Sequence, residues 1–411
     1  MNAKIQITSS LINGKVHLTG SKSISNRLLI LQALSGHMNV LKNLSDSDDT
    51  VVIQKALSSQ DTTIDVGIAG TAMRFLTAYY ALRGSEVILT GASRMKKRPI
   101  KGLVDALSSL GADIKYMENE GFPPLKIKGG NLKGGFLQMK ADVSSQFISA
   151  ILMIAPYFEK GIQLKLIGEV LSRPYIEMTL KLMEKQGLPY KWVGDTISLL
   201  PGNYQNNITR VESDWSSISY MFELVALSSS GCVQLTQVDE NSVQGDQEAM
   251  RYFDLLGVDS SIEHGVLTLR KRHDFELPKL LELDCLKTPD LAQTLAATAC
   301  GLGVHMKLTG LQSLPIKETD RLMALKNEFE KCGAQVQIIN NKALDIIPGT
   351  ELLNRTFNFE TYGDHRMALC LAPLALKAKL LTINNPMVVN KSYKSYWEDL
   401  KNLSFNIELI T

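Results

Sequence analysis

Long apolar runs are missing from this chain. Nothing in its 411 residues approaches the roughly 18 consecutive apolar residues of a membrane-spanning helix. The most apolar stretch, Phe147 to Pro156, is short and sits beside polar residues. The first residues, MNAKIQITSS, hold no apolar core, so no secretion signal is expected and a cytoplasmic location is. Cysteine is scarce. Cys232, Cys285, Cys300, Cys332 and Cys370 all lie in the C-terminal half, and no two form a C-x-x-C pair. A disulfide framework or zinc site is therefore not expected; reduced, buried thiols are. Excess charge of either sign is missing as well. Lys and Arg number 44 and Asp and Glu 42, a formal net charge of +2. Any affinity for anions must then come from local arrangement, not from the field of the whole protein. Aromatic residues make up 7% and avoid the basic clusters, which argues against stacking on nucleic-acid bases.

The rest of the composition is that of an ordinary globular chain, 45% hydrophobic and 21% charged. Its length predicts two domains. An internal repeat refines that prediction. One element is an amphipathic helix ending in Gly, followed by a strand, a turn and a second strand. It occurs as LSSLGADIKYMENEGFPPLKIKG, LMEKQGLPYKWVGDTISLLPG, YFDLLGVDSSIEHGVLTLRK and EFEKCGAQVQIINNKALDIIPG. The helix-ending glycines, Gly111, Gly187, Gly257 and Gly333, are spaced by 76, 70 and 76 residues. A residue just past a helix often needs positive φ, which Gly adopts without strain. Shorter relatives near Ala56 to Val66 and Asp399 to Ile410 bring the count of units to six.

A second element occurs once per unit: a small or polar cluster opening a strongly apolar helix. It begins at Gly20, Gly67, Asp142, Ser213, Thr288 and Tyr362. Helices apolar nearly all round are buried helices, so sheets should wrap outside them. Three units per domain gives an α/β fold of two similar domains, each with three repeated units. The expected boundaries are 20–212 for one domain and 1–19 plus 213–411 for the other. The strand from Lys4 to Leu18 would complete the second domain, and the two chain crossings would form a hinge.

Helix openings carry free N–H groups and the positive end of the macrodipole, so each is a weak anion site. Here they also carry Lys22, Ser23, Arg27, Arg74, Ser144, Ser145, Gln146 and Arg366. Converging openings would make an anion trap inside a nearly neutral protein. Ordinary capping is the competing account of Ser213, Thr288 and Asp142. Capping does not explain Lys22 in a first turn, where the macrodipole disfavours a cation. Gly20-Ser21-Lys22-Ser23 lacks the spacing of a P-loop, and Gly67-Ile68-Ala69-Gly70-Thr71 lacks the dinucleotide fingerprint, so nucleotide binding is not expected. Three further charged clusters are Arg94 to Arg98, Lys317 to Arg321 and Asp364-His365-Arg366.

Taken in order, GSKSISNR, AGTAMR, RMKKRPI, SSQFISA, SRPY, KETDR and DHRMA resemble the 5-enolpyruvylshikimate-3-phosphate synthases, a branch of the enolpyruvyl transferases. The resemblance spans Gly20 to Lys391. It implies the two-domain, six-unit fold with an active site in the interdomain cleft. It also implies transfer of the enolpyruvyl group of phosphoenolpyruvate to the 5-hydroxyl of shikimate 3-phosphate, with release of phosphate. No metal or cofactor is implied. The partners would be those two small molecules, with no nucleic acid and no membrane, and a monomer is expected.

By the same resemblance, Lys22, Ser23 and Arg27 hold shikimate 3-phosphate, with Ser144, Ser145, Gln146, Ser172, Tyr175 and Lys317. Asp290 also touches it and accepts the hydroxyl proton. Glu318 handles the methylene proton, a role that Lys22 or Lys391 could share. Lys22, Gly70, Arg98, Gln146, Arg321, Arg366 and Lys391 contact phosphoenolpyruvate. The chain departs from the common family pattern at Ile68, Phe75 and Ser313. The competing reading is the sister transferase acting on UDP-N-acetylglucosamine. That enzyme commonly carries a Cys in the loop matching Ala92 to Lys97, whereas no Cys precedes Cys232 here. A non-catalytic anion-binding relative is the other alternative, against which Asp290 and Glu318 both argue.

Overall fold

A computed structural model describes residues 1–37, 39–84, 86–142, 144–349 and 355–410. The chain divides into two compact units, Gly20–Val211 and the pair of segments Met1–Thr19 and Glu212–Thr411.

In the first unit the buried helices are Lys22–Ser35, Gly70–Leu82 and Ser145–Ile154. In the second they are Trp215–Leu227, Ala292–Leu302 and His365–Leu371. Burial runs around their whole circumference: Ile24 through Leu34 is continuously buried in the Lys22–Ser35 helix. Each is the core element of its unit, as its all-round apolar sequence requires.

The amphipathic helices lie between strands. Gly111, Gly187, Gly257 and Gly333 all have positive φ, from 77° to 109°, and each turns the chain from such a helix into a strand pair. The four pairs are Asp113–Tyr116 with Leu125–Lys128, Tyr190–Val193 with Thr196–Leu199, Val258–Glu263 with Val266–Lys271, and Gln335–Ile339 with Ala343–Ile347. These pairs form parts of four-stranded sheets of one common plan. A parallel pair at one edge is followed by two antiparallel strands, as in Gly135–Lys140, Ile162–Ile167, Thr196–Leu199 and Tyr190–Val193.

The repeat is not carried through equally. The Glu212–Thr411 unit has three such sheets and the Gly20–Val211 unit two among the described residues. Where a third sheet would stand, the isolated parallel bridge Lys42–Arg210 is found. The segment 42–45 and the segment 204–210 supply no alternating apolar run, so nothing drives a longer ladder. The N-terminal stretch is also two strands rather than one. Asn2–Ile7 pairs with Leu380–Asn384 and Phe405–Ile410, whereas Leu11–Val16 pairs with Ser230–Thr236 in a different sheet.

Among the polar residues buried in the cores is an ionisable carboxyl. Glu223 on the Trp215–Leu227 helix is 0% exposed, and neither carboxyl oxygen has a hydrogen-bond partner among the described residues. Burial pushes its pKa well above the usual 4.5. The folded state therefore holds its proton to higher pH than the unfolded chain does, so the cost grows as pH rises above about 4.5. Glu223→Leu is expected to stabilise this unit by about 1–3 kcal/mol at neutral pH. The gain should shrink near pH ~4, where the unfolded carboxyl is also protonated. Thermal melts at the two pH values check this; a lower melting temperature at neutral pH rejects it.

Candidate functional site

In the Gly20–Val211 unit the helix openings are joined by side chains. Arg27, 3% exposed, reaches from the first buried helix to two others. Its Nε donates to Thr179 Oγ1 at 2.7 Å, and its Nη2 donates to the Tyr175 carbonyl at 3.2 Å and Ser149 Oγ at 3.4 Å. Nη1 donates to the Ser23 carbonyl at 2.8 Å. All four partners are neutral oxygens. Burial lowers the Arg27 pKa to about 10, which leaves it fully charged at neutral pH. A buried cation bonded only to neutral oxygens is a source of attraction for an anion.

Around Arg27 stand the other residues expected on this side. Lys22 and Ser23 are half-buried in the first turn, with Lys22 Nζ 3.9 Å from Asp49 Oδ2. Ser144 caps the Ser145–Ile154 helix by accepting from the Gln146 N–H at 3.3 Å. Gln146 Nε2 donates to Thr71 Oγ1 at 3.1 Å, tying that opening to the opening of the Gly70–Leu82 helix. Ser172 is 7% exposed and holds a left-handed backbone, φ 53°, just before the helix that carries Tyr175.

Gly70 has a role the sequence did not reveal. A Cβ built on it would lie 2.5 Å from Arg98 Nη1. The glycine thus seats the Arg98 guanidinium directly against a helix opening, where any larger residue would push it away.

In the Glu212–Thr411 unit the geometry is ionic. Arg321, 1% exposed, donates from Nε to Asp364 Oδ2 at 2.7 Å, from Nη1 to Asp290 Oδ1 at 3.2 Å, and from Nη2 to Glu318 Oε2 at 3.0 Å. Arg366 Nη2 lies 2.8 Å from Asp290 Oδ2, and Lys391 Nζ bonds Glu318 Oε1. Three cations and three carboxylates therefore form one buried cluster whose charges cancel. Asp364 anchors it. It is 0% exposed and also caps its own helix, accepting from the Arg366 N–H at 2.9 Å. Lys317 precedes Glu318 and is half-buried.

Arg321 spends four hydrogen bonds on carboxylates and has almost no exposed surface, so it also holds Asp290 and Glu318 in place. One expectation changes here. The cap of the Trp215–Leu227 helix is Asp214, accepting from the Ser217 N–H at 3.0 Å, not Ser213. Ser213 Oγ instead donates to the Thr236 and Leu18 carbonyls.

Comparison with known proteins decides the family. The family model for EPSP synthase (3-phosphoshikimate 1-carboxyvinyltransferase) matches residues 7–59 and 50–400. A 3-phosphoshikimate 1-carboxyvinyltransferase of Bacteroides fragilis is 45% identical over 404 residues, covering 97% of each chain. The same-named protein of Photobacterium profundum is 37% identical, covering 96% of this chain and 97% of its own. The chain belongs to the EPSP synthase family. A solved structure of EPSP synthase from Acinetobacter baumannii shares the fold, with a TM-score of 0.78 at 20% identity over 99% of this chain and 100% of that one.

Further side chains of the Glu212–Thr411 unit adjoin the buried ionic cluster. Ser216 and Tyr220, on the Trp215–Leu227 helix, accept from Arg366 Nη2 and Nη1 at 3.3 Å and 3.2 Å. Asp246, in the short turn of helix at Gly245–Glu248, accepts from Ser216. Ser216 lies in the helix opening that begins at Ser213, but no sequence signal ties Asp246 to it.

Proposed function

We propose that this chain transfers the enolpyruvyl group of phosphoenolpyruvate to the 5-hydroxyl of shikimate 3-phosphate. The observation that carries the reading is the buried cluster in which Asp290 and Glu318 are held by Arg321, inside a chain 45% identical to a protein named for that reaction. The Gly20–Val211 unit contributes Lys22, Ser23, Arg27, Ser144, Ser145, Gln146, Ser172 and Tyr175 to shikimate 3-phosphate. Arg27 supports this role with a buried charge that its protein partners leave uncompensated. Lys22, Arg98 beside Gly70, and Gln146 serve phosphoenolpyruvate from this unit, and Arg366 and Lys391 from the other. Arg guanidiniums suit that task because their planar fork matches carboxylate and phosphate oxygens. Lys317 contacts shikimate 3-phosphate.

The reaction is an addition followed by an elimination. Asp290 takes the proton of the 5-hydroxyl as its oxygen bonds to C2 of phosphoenolpyruvate. The methylene carbon gains a proton from the Lys391–Glu318 pair or from Lys22. The resulting ketal phosphate then returns a methyl proton to that same group as the C–O bond to phosphate breaks. The products are the enolpyruvyl ether and inorganic phosphate. Asp290 Oδ1 and Oδ2 are held in place by Arg321 and Arg366. Arg321 serves phosphoenolpyruvate from the same unit as Arg366 and Lys391, besides holding Asp290 and Glu318. In the same reading the enzyme works in the cytoplasm as a monomer on these two small molecules; among the described residues no helix is long and apolar enough to cross a membrane.

Phosphate release from phosphoenolpyruvate, measured with and without shikimate 3-phosphate, tests the reading. Release is expected only when both are present. Release that ignores shikimate 3-phosphate, or that appears instead with UDP-N-acetylglucosamine, overturns it.

A further inference from the structure

The charges of Arg321, Arg366, Lys391, Asp290, Glu318 and Asp364 cancel, yet one more carboxyl group reaches this cluster. Asp246 is 3% exposed. Its Oδ2 accepts from Ser216 Oγ at 2.5 Å, and its Oδ1 has no hydrogen-bond partner among the described residues. Ser216 Oγ in turn accepts from Arg366 Nη2 at 3.3 Å, the same nitrogen that lies 2.8 Å from Asp290 Oδ2. One guanidinium nitrogen thus answers to two carboxyl groups, directly to Asp290 and through a serine hydroxyl to Asp246.

The groups facing Asp246 are the carboxylates of Asp290 and Asp214, the Arg366 cation and the thiol of Cys285. Burial first, and the Asp290 charge second, push the Asp246 carboxyl up to about 7, against the weaker pull of Ser216 and Arg366. An ionised Asp246 would be an uncompensated negative charge at the end of a hydrogen-bonded chain from Arg366. A protonated Asp246 leaves the cluster neutral and the Arg366 charge undiminished.

We propose that Asp246 is a positioning residue whose proton controls how strongly Arg366 attracts an anionic substrate. The inference rests on the reading above that Arg366 serves phosphoenolpyruvate. Its sign follows from Coulomb attraction alone. Ionised Asp246 opposes an anion at Arg366, so affinity falls as pH rises through the Asp246 ionisation. By linkage, an anion arriving at Arg366 makes Asp246 take up a proton.

The steady-state KM for phosphoenolpyruvate, followed across pH, tests this. In the parent enzyme KM is expected to rise by roughly fivefold from about pH 6 to about pH 8.5. In Asp246→Asn, which keeps the shape and cannot ionise, that rise should be lost while the kcat ratio across the same range is unchanged. Ser216→Ala removes a hydrogen bond to the ionised form, so the rise should move to higher pH. Ionisation of phosphoenolpyruvate itself is common to all three proteins and drops out of the comparison. Calorimetry of inorganic phosphate binding, in two buffers of different protonation enthalpy, gives a reading independent of turnover. The parent should take up more protons than Asp246→Asn. A parent without shikimate 3-phosphate-dependent phosphate release would defeat the functional reading, and the phosphate calorimetry would then decide the proposal alone. A difference between parent and Asp246→Asn in either measurement supports the role; identical KM profiles with equal proton uptake overturn it.

Discussion

Asp290→Asn is expected to lower kcat by about two to four orders of magnitude, the usual contribution of a general base, while the protein stays folded. The two oxygens of Asp290 have separate partners, Oδ1 on Arg321 and Oδ2 on Arg366. An amide keeps one acceptor and the side-chain shape, and Arg321 retains Asp364 and Glu318. What the substitution removes is the capacity to accept a proton from the substrate hydroxyl. The KM for shikimate 3-phosphate should therefore change far less than kcat, the signature of an interaction needed in the transition state. Phosphate release together with a thermal melt separates the outcomes. Near-normal turnover refutes the base assignment. A collapsed melt with proportionate loss of activity means that Asp290 is chiefly a structural partner of the two arginines.

The buried helices were legible because their signal is local. An opening such as Gly20-Ser21-Lys22-Ser23 that leads into the apolar stretch Leu28 to Leu34, broken only by Gln32, marks a buried helix, and Ile24 through Leu34 is buried. The strand pairs after Gly111, Gly187, Gly257 and Gly333 were legible for a related reason: positive φ selects glycine, and alternation follows at once. That the Gly20–Val211 unit has two rather than three such sheets among the described residues was not legible, because the bridge Lys42–Arg210 joins segments far apart in sequence.

Within the candidate site the division is similar. Lys22, Arg27, Asp290 and Arg366 announced themselves as charge at the start of apolar helices. The contacts of Arg321 and Gly70 within the chain did not, because each is defined by a partner elsewhere: three carboxylates for the one, Arg98 for the other. Asp246 is the clearest instance. In sequence it is one acid in a polar loop; only the fold carries Ser216 and Arg366 to it.

Arg321→Met should have the largest effect on stability, because it takes the one shared cation from three carboxylates at once. Asp364 and Arg321 are 0% and 1% exposed, so solvent cannot replace the lost charge. Breaking a buried pair by removing one partner costs about 3–5 kcal/mol, most of it the penalty of the stranded charge. For a unit of this size the melting temperature should fall by on the order of 10 °C. Arg321→Lys should fall between parent and Met, since one ammonium cannot span the donors to Asp364, Asp290 and Glu318 together. The decisive measurement is the double variant. If the stranded Asp364 charge is the main cost, Arg321→Met with Asp364→Asn must melt higher than Arg321→Met alone, although a further native group has been altered. A double variant that melts lower, by the sum of the two single effects, means that Arg321 stabilises the unit by packing rather than by charge.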